Sequence, residues 1–463
     1  MTTVAVAAVA RSTFDVEFAA ETADRAFGVI SGLGFDVIGD PSLLLDVESV
    51  DRAAKEWLDK GIDALIVLQA TFTDTSAAVR LAASTGAPLV LWAFPEERTG
   101  GRLRLNSLCG INLAGYVLKR AGSDYRWLFH APAAEAGEAL IRAVGAPLSA
   151  AAGSTAVAPD AAAHTAAERA RRVLASARIG VIGDHPDGFE PCAYDPSLLV
   201  DQVGASAVSV PLPRLFAHAR EASPNDVIAV RNGLRATLDG VDDMDPESLD
   251  QSVRLHLGLR RLVDDHSLAA VATRCWPECF TEFGAAACTP QSLLTELGTP
   301  ATCEADVYGS ATALALRELS GGAPFISDLV DLDVETNTGV LWHCGLAPLS
   351  LADEHAPHRA TIHSNRRKPL LNEFPLKPGR VTIARLSQSA NVPRLVIGGG
   401  EMLRAPLAFS GTAGVVRFDR RVPDVFATIM SEGLEHHYGV VYGDVRAELH
   451  ALAEILGFDT VEL

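Results

Sequence analysis

The sequence is poor in basic residues. Its 463 residues include 39 lysines and arginines against 58 aspartates and glutamates, which gives a formal net charge of -19 at pH 7. A surface of that sign repels nucleic acid and anionic membranes, so we exclude both as general partners. The overall charge is still compatible with a local basic pocket for an anionic ligand.

Long apolar runs and paired cysteines are also missing. The N-terminal apolar run spans only residues 4–10 and has no basic segment before it, so it predicts a buried first strand rather than a signal peptide. We see no run long enough to cross a membrane. The seven cysteines are odd in number and form no CxxC pair, which is typical of reduced thiols buried in a cytoplasmic protein.

Several nucleotide and hydrolase motifs are absent as well. The chain contains no GxxxxGK(S/T) loop, no GxGxxG between a strand and a helix, and no GxSxG. It therefore predicts neither a P-loop nor a serine-hydrolase elbow, and it gives poor support to a dinucleotide site.

The chain does contain apolar strand patterns that alternate with helical ones. Strands that are apolar throughout indicate parallel sheets covered on both faces. After residue 325, short strand candidates rich in β-branched residues follow one another. We predict two doubly wound Rossmann-like α/β domains followed by a strand-rich C-terminal domain. The predicted limits are 1–148 and 178–325 for the α/β domains, 149–177 for an Ala-rich connector, and 326–463 for the β-rich domain.

Within the second α/β domain, the pattern restarts at residue 178 with a buried strand and a polar turn, as at the N-terminus. Residues 208–216 and 267–276 predict further strands. The domain ends on an apolar helix whose first turn we place at Glu304.

Acids and histidines at the ends of these elements are the candidate functional residues. Glu304 and Asp306 open the apolar helix, where acids favour the helix dipole and need no other role. The alternative is that Glu304 enters a metal site with Asp328, His343 and a C-terminal His-His pair. Carboxylates with imidazoles suit Mn²⁺, Co²⁺, Mg²⁺ or Zn²⁺. Each residue alone has an ordinary structural explanation, and spacing does not show whether they converge.

Five short motifs carry a family resemblance. CWPE (275–278), CEAD (303–306), FISD (325–328), WHCG (342–345) and HHYGVVYGD (436–444) resemble the L-fucose isomerase and L-arabinose isomerase superfamily. TFTDT, PLVLWAFPE, NSLCG and GVIGDHPDGFEPCAYD stand in the expected order in the N-terminal half, so the resemblance covers nearly the whole chain. It implies an aldose–ketose isomerase that uses a divalent metal, usually Mn²⁺.

The resemblance also assigns roles to the candidate residues. Glu304 matches a glutamate that binds metal and shuttles a proton, Asp328 matches the second acidic ligand, and His437 matches the C-terminal histidine ligand. His343 lies near a second histidine ligand that only the arabinose branch has, and His436 is expected beside the site. The chemistry fits these residue types, because moving a carbonyl from C1 to C2 requires removal of the C2 proton. A metal stabilises the ene-diolate charge, and we assign Glu304 and Asp328 as the acid/base pair, with the order of use open.

Candidate substrate contacts lie on loops. Arg11 ends the first strand, where α/β folds present ligand loops, and the family has a polar substrate contact there. Asn106 is a weaker candidate of the same kind. Arg366 and Arg367 belong to HSNRRKP (363–369), which is either a solvated loop or a clamp for a phosphate, carboxylate or sulfonate, as on sulfoquinovose.

Two tryptophans beside the motifs, Trp276 and Trp342, are candidates for stacking on a sugar or for packing. The expected partner is a small-molecule sugar, and the resemblance implies a homo-oligomer with its active site near a subunit interface. A metal-dependent epimerase or lyase is the alternative enzyme, and a metal-free sugar-binding protein is the alternative outside enzymes. The particular sugar stays open.

Overall fold

A parallel sheet forms the N-terminal part of the chain. The computed structural model describes residues 2–57, 60–145 and 155–463. The strands of the first sheet are β1 (Thr3–Val9), β2 (Asp36–Ile38), β3 (Leu43–Leu44), β4 (Ala64–Gln69), β5 (Leu89–Ala93) and β6 (Tyr125–Phe129). Their order is β2-β1-β4-β5-β6, with β3 against the end of β1, and every pairing is parallel. The helices are α1 (Val16–Ser31), α2 (Val47–Trp57), α3 (Ser76–Thr85), α4 (Ser107–Arg120) and α5 (Ala136–Gly145).

The predicted Ala-rich connector lies partly outside the described residues, which resume at residue 155. Its second half forms the helix α6 (Ala161–Ser176), which begins after Asp160, whose side chain accepts the N–H of Ala163. The apolar face of α6 packs in one cluster with later helices of the chain.

A second parallel sheet follows, in the order β10-β9-β7-β8. Its strands are β7 (Arg178–Ile182), β8 (Ser206–Val210), β9 (Ala270–Thr273) and β10 (Ala301–Thr302). Its helices are α7 (Pro196–Val203), α8 (Leu212–Arg220), α9 (Pro224–Arg235), α10 (Pro246–His266), α11 (Cys288–Glu296) and α12 (Val307–Ser320). The strand predicted over 208–216 is too long, because Pro213 stands in the first turn of α8 and starts a helix there.

The third sheet is mainly antiparallel and closes on itself. Its strands are β11 (Phe325–Asp333), β12 (Thr338–His343), β13 (Arg359–Ile362), β14 (Pro369–Pro375), β15 (Gly379–Ser387), β16 (Arg394–Leu403), β17 (Thr412–Phe418), β18 (His437–Tyr442) and β19 (Asp459–Glu462). The neighbours β17-β12-β11-β18-β15-β16 form a ring, because β16 also pairs with β17. The remaining helices are α13 (Val422–Glu432) and α14 (Arg446–Leu456).

The predicted fold class is confirmed: two parallel α/β sheets precede a strand-rich C-terminal region. The strands of the first two sheets lie within the two predicted α/β ranges, and those of the third lie within 326–463 apart from Phe325, the first residue of β11. The domain limits themselves stay predictions. No described helix combines the length and apolarity that a membrane crossing needs.

Candidate active site

Glu304 lies in a turn before helix α12 and not in the helix itself. Glu304 and Ala305 both have left-handed backbones, with φ of 59° and 55°. The helix begins at Val307, and its N-cap is Asp306, whose Oδ1 accepts the N–H of Gly309 at 2.8 Å. The expectation that Glu304 opens the helix is therefore wrong, because Asp306 occupies the capping position. The turn leaves the Glu304 carboxylate on the wall of a cavity.

Asp328 and His437 are neighbours across two strands of the barrel. Asp328 on β11 is in register with His437 on β18 on one side and with Trp342 on β12 on the other. Directly opposed residues of an antiparallel pair share a face of the sheet. His437 Nε2 consequently lies 3.6 Å from Asp328 Oδ1, and it lies 3.8 Å from Glu304 Oε2.

The two histidines of the His-His pair are both buried, and each contacts a different carboxylate. His436 Nε2 lies 3.0 Å from Glu304 Oε2, and the pairing with a carboxylate assigns the proton to His436. His437 uses Nδ1 on Asp306, at 2.9 Å, which leaves Nε2 toward the other carboxylates. Because both side chains are buried, the ordinary structural explanation for this pair, a solvated loop, is wrong.

The electrostatics of the cluster follow from burial and from these contacts. Burial raises the pKa of Glu304, but the hydrogen bond and charge of His436 outweigh burial and hold that pKa below its usual value. Burial raises the pKa of Asp328, and the nearby imidazoles only partly oppose it. Burial likewise lowers the pKa of His437, with help from the His436 charge. His437 is therefore held neutral, as a metal ligand has to be.

The residues present fit a divalent cation. Asp328 Oδ1 is buried and accepts no hydrogen bond from the described residues. Such an orphaned carboxylate oxygen is costly unless a cation compensates it. Two carboxylates and one imidazole, with donor atoms under 4 Å from the shared His437 Nε2, form a set that suits Mn²⁺ or Mg²⁺.

Cys192 is a fourth group close to this cluster, and sequence reasoning missed it. Its Sγ lies 3.9 Å from Glu304 Oε2. One donor atom from each of Cys192, Glu304, His436 and His437 falls within 4.8 Å of the others. No sequence signal marks this cysteine, because it stands alone on a short turn at residues 190–192.

His343 lies at the end of β12 with its ring centroid 5.7 Å from that of His437. Its Nδ1 accepts the backbone N–H of Cys344 at 2.9 Å. A neutral imidazole whose Nδ1 accepts carries its proton on Nε2, where it donates and does not bind a cation. The metal-ligand role of His343 stays a prediction that this hydrogen bond disfavours.

These groups line one cavity that encloses about 840 Å³, including open solvent at its mouth. Nine of the residues predicted from the sequence face it: Arg11, Asn106, Trp276, Glu304, Asp328, Trp342, His343, His436 and Arg366. His437 lies behind the wall, and Arg367 is exposed on the loop outside it. Sequence reasoning missed the aromatic wall made by Phe14, Phe72, Phe189 and Phe280.

Two arginines contact the face of Trp276 in this cavity. The Cζ atoms of Arg11 and Arg366 lie 5.0 Å and 5.2 Å from the indole centroid. Arg11 is paired with Asp74 at 2.9 Å, whereas Arg366 forms no ion pair with any residue in the described part of the chain. Burial, followed by repulsion from Arg11, lowers the pKa of Arg366. Arg366 is thus a partly buried cation of the cavity that has no counter-ion among the residues the structure describes.

Asn106 contributes an unpaired acceptor to the same cavity. It stands before α4 with a left-handed backbone (φ 50°, ψ 41°), and its side chain does not cap that helix. Its N–H donates to Glu96 Oε1 at 2.7 Å, while its Oδ1 is buried with no hydrogen-bond partner among the described residues. A strained residue with an unused acceptor is typical of a ligand contact.

Trp276 connects the cationic part of the cavity to the carboxylates. Its indole N–H donates to Glu304 Oε1 at 3.4 Å, and its ring face contacts Arg366. One side chain therefore separates the Arg366 guanidinium from the Glu304 carboxylate. A ligand with an anionic group at one end could pair with Arg366 while its other end reached Glu304.

Comparisons with known proteins agree with this geometry. A family model described as the N-terminal domain of fucose/sulfoquinovose isomerase matches residues 5–143, and one described as the C-terminal domain of L-fucose isomerase matches residues 372–463. The sulfoquinovose isomerase of Priestia megaterium is 30% identical over 461 residues, which cover 99% of this chain and 98% of that protein. The sulfoquinovose isomerase of Alkalicoccus urumqiensis is 31% identical over 403 residues, or 87% of this chain and 86% of that protein. A relative of the same name from Clostridium sp. (strain MSTE9) is 28% identical over 449 residues, or 96% and 95% of the two chains.

Proposed function

The chain belongs to the fucose/sulfoquinovose isomerase family and is an aldose–ketose isomerase, and we propose that it converts a sulfonated aldose such as sulfoquinovose into its ketose with the help of a divalent cation. Mn²⁺ is the cation that we propose. The oligomeric state and the cytoplasmic location stay predictions.

One observation carries the proposal. Glu304, Asp328 and the unpaired guanidinium of Arg366 line a single cavity, with His437 Nε2 behind the two carboxylates. Carboxylates with an imidazole supply cation binding and proton transfer, and a free guanidinium supplies recognition of an oxyanion. The names of the relatives point to the same substrate class.

The proposed site residues have two roles, cation binding and proton transfer, and the two carboxylates take part in both. Glu304, Asp328 and His437 would hold the cation, which supplies Lewis-acid stabilisation of the negative charge that develops on the two substrate oxygens. Isomerisation also requires a base at the C2 proton and an acid at C1, with a second proton moved between the hydroxyl and carbonyl oxygens. We assign these transfers to Glu304 and Asp328 without fixing their order.

The surroundings of Glu304 suit a group that moves a proton. His436 donates to its Oε2 and Trp276 donates to its Oε1, so the carboxylate is held in one orientation. His436 Nδ1 is buried and has no partner among the residues described, which leaves it available to a substrate hydroxyl. The aromatic wall would limit the contact of an ene-diolate with bulk water, while the open mouth of the cavity lets the carboxylates exchange protons with solvent between turnovers.

The sulfonate is assigned to the cationic end of the cavity. Arg366 offers planar donors that match an oxyanion, and no carboxylate of the described chain competes for them. Arg11 lies on the same indole but is neutralised by Asp74, so it is the secondary contact. Arg367, the other arginine predicted from the sequence, is exposed and has no part in this assignment.

Turnover of a sugar panel tests the proposal. Chelated protein would be assayed with L-fucose, L-arabinose, D-arabinose and sulfoquinovose, with and without Mn²⁺, beside Glu304→Gln and the exposed control Glu282→Gln. We expect ketose from sulfoquinovose only after Mn²⁺ is restored, unchanged activity in Glu282→Gln and none in Glu304→Gln. Turnover of neutral sugars alone would overturn the substrate class, and an epimer as product would favour the epimerase alternative. Full activity after chelation would overturn the metal.

A further inference from the structure

His437 is fully buried and has carboxylates near both of its ring nitrogens. Its Nε2 faces Glu304 Oε2 and Asp328 Oδ1, as described above, and its Nδ1 lies 2.9 Å from Asp306 Oδ2. His437 and Asp306 are each about 1% exposed. No water from bulk solvent competes for this contact, so Asp306 alone determines what the Nδ1 atom does.

Asp306 is saturated with hydrogen-bond donors. Its Oδ2 accepts from Arg385 Nη1 at 2.5 Å and lies 2.9 Å from His437 Nδ1, and its Oδ1 accepts from Arg385 Nη2 at 2.9 Å and from the Gly309 N–H at 2.8 Å. Three N–H donors and one imidazole nitrogen thus contact the two oxygens. The Arg385 and Gly309 N–H groups can only donate, and the bidentate ion pair with Arg385 keeps Asp306 in its ionised form. The group is therefore a carboxylate that only accepts.

We infer that Asp306, charge-paired with Arg385, is a positioning residue that locks His437 in the Nδ1–H tautomer and so presents the Nε2 lone pair to the cation-binding carboxylates. The inference rests on the proposed function, since it concerns the same metal centre. An imidazole that ligates a cation through one nitrogen needs its proton on the other, and a carboxylate partner fixes both that tautomer and the ring orientation.

The variant Asp306→Asn tests this directly, because an amide cannot satisfy four donors. The new amide has one oxygen and one NH₂ group, so its NH₂ group must point either toward Gly309 or toward His437. In either orientation the NH₂ group also faces an N–H group of Arg385. The favourable arrangement keeps the amide oxygen toward the Gly309 N–H, as a helix N-cap requires. The amide nitrogen then donates to His437 Nδ1, which moves the imidazole proton to Nε2 and removes the lone pair from the metal centre.

The matched control is Asp331→Asn. Asp331 is also a buried aspartate paired with an arginine, with its Oδ2 2.7 Å from Arg98 Nε, and it contacts no imidazole among the described residues. A purely structural role for Asp306 predicts that both variants lose thermal stability and that neither changes metal binding. The positioning role predicts that only Asp306→Asn weakens metal binding.

The measurement is the Mn²⁺ dissociation constant of metal-depleted protein, from the free Mn²⁺ signal in electron paramagnetic resonance. We expect Asp306→Asn to bind Mn²⁺ about 10- to 100-fold more weakly than the wild type, with Asp331→Asn unchanged. A folded Asp306→Asn protein with wild-type affinity would overturn the inference. The proposed function is judged separately on the wild-type protein, since failure of the wild type to bind Mn²⁺ would refute the metal centre and the inference together.

A second readout needs no Asp306 variant and guards against misfolding. Nitrogen-15 chemical shifts of histidine rings distinguish the two neutral tautomers, and the signals of His437 can be assigned by their loss in His437→Gln. In metal-free wild-type protein we expect the protonated nitrogen of His437 to be Nδ1. A proton on Nε2 would overturn the inference, whatever the affinity of the variants.

Discussion

The unpaired cation of the cavity leads to a sharp prediction about the substrate. Arg366→Met removes the guanidinium but keeps an unbranched apolar stem that can still contact Trp276 and Phe280, which the arginine now covers at 5.2 Å and 5.9 Å. The variant should therefore bind the sugar ring as before and lose only its contact with the anionic group. Because the substitution removes the charge of residue 366 and largely keeps its shape, it separates recognition of the sulfonate from packing against the two aromatic rings.

The expected loss in kcat/KM depends on the charge and the partial burial of Arg366. A hydrogen bond to a charged group contributes about 1.5–3 kcal/mol, which corresponds to roughly 10- to 150-fold in kcat/KM. Arg366 is only partly buried, so solvent screens part of this interaction and the lower half of the range is expected. Because no carboxylate of the described residues pairs with Arg366, its removal leaves no buried charge behind and stability should change little.

The assay compares two sugars and two variants. Initial rates would be measured with sulfoquinovose and with quinovose, which has hydrogen in place of the sulfonate. Arg367→Met is the matched control, because Arg367 is the adjacent, exposed arginine of the same loop. We expect kcat/KM to fall for sulfoquinovose in Arg366→Met alone and to stay unchanged for quinovose. An equal loss with both sugars, or an equal loss in Arg367→Met, would refute the sulfonate assignment.

Three further predictions concern other parts of the molecule. Asp328→Asn removes a buried carboxylate whose Oδ1 has no partner among the described residues, so calorimetry should show a higher Tm for the metal-free protein and no further rise with Mn²⁺; a lower metal-free Tm would contradict the argument. Asn106→Gly keeps the left-handed backbone accessible and should raise KM about 2- to 12-fold, the value of one neutral hydrogen bond; an unchanged KM would remove Asn106 from the site. His256 is buried on α10, and burial lowers its pKa to about 4. Since the unfolded chain takes up that proton near pH 6.5 and the folded chain resists it, stability should fall by about 1.4 kcal/mol per pH unit as pH drops from 6.5 toward 4. His256→Gln should flatten this dependence in thermal melts, and parallel curves for the two proteins would exclude His256 as its source.

The sequence predicted the α/β part of the fold well because its strands are short, apolar throughout and separated by helical patterns. These patterns report burial on both faces and need no tertiary knowledge. The error at residues 208–216 has a local cause, since the apolar run VSV continues into a helix that Pro213 starts. The closure of the third sheet could not be predicted, because it depends on the pairing of β16 with β17.

The start of α12 has a local sequence signal at Asp306. Glu304 and Asp306 both precede an apolar run, and the helix is predicted to begin at Glu304. An aspartate directly before the run is the stronger N-cap signal, and that is where the helix begins. The conformation of Glu304 itself had no signal, because a left-handed glutamate is unusual and is held by its surroundings.

The residues that line the candidate site could be predicted from the sequence, but the buried residues that contact them from behind could not. Short motifs located Glu304, Asp328 and His437, and the structure brings their donor atoms together. The pairing of Asp306 with Arg385 joins residues 79 positions apart. An arginine within the strand pattern RVTIARLS is ordinarily expected to face solvent. Nothing in the pattern indicates that it is buried against an acid, so the group that orients His437 was missed.

The most direct test of the account is the isomerisation of sulfoquinovose in D₂O by metal-depleted protein reconstituted with Mn²⁺, followed by NMR. We expect a ketose to form only after Mn²⁺ is added and to carry deuterium at C1, because one carboxylate removes the C2 proton and the other, already exchanged with solvent, supplies the proton at C1. A ketose without deuterium would contradict the use of two separate carboxylates for removing and returning the proton, and no ketose from protein that binds Mn²⁺ would contradict the proposed function itself.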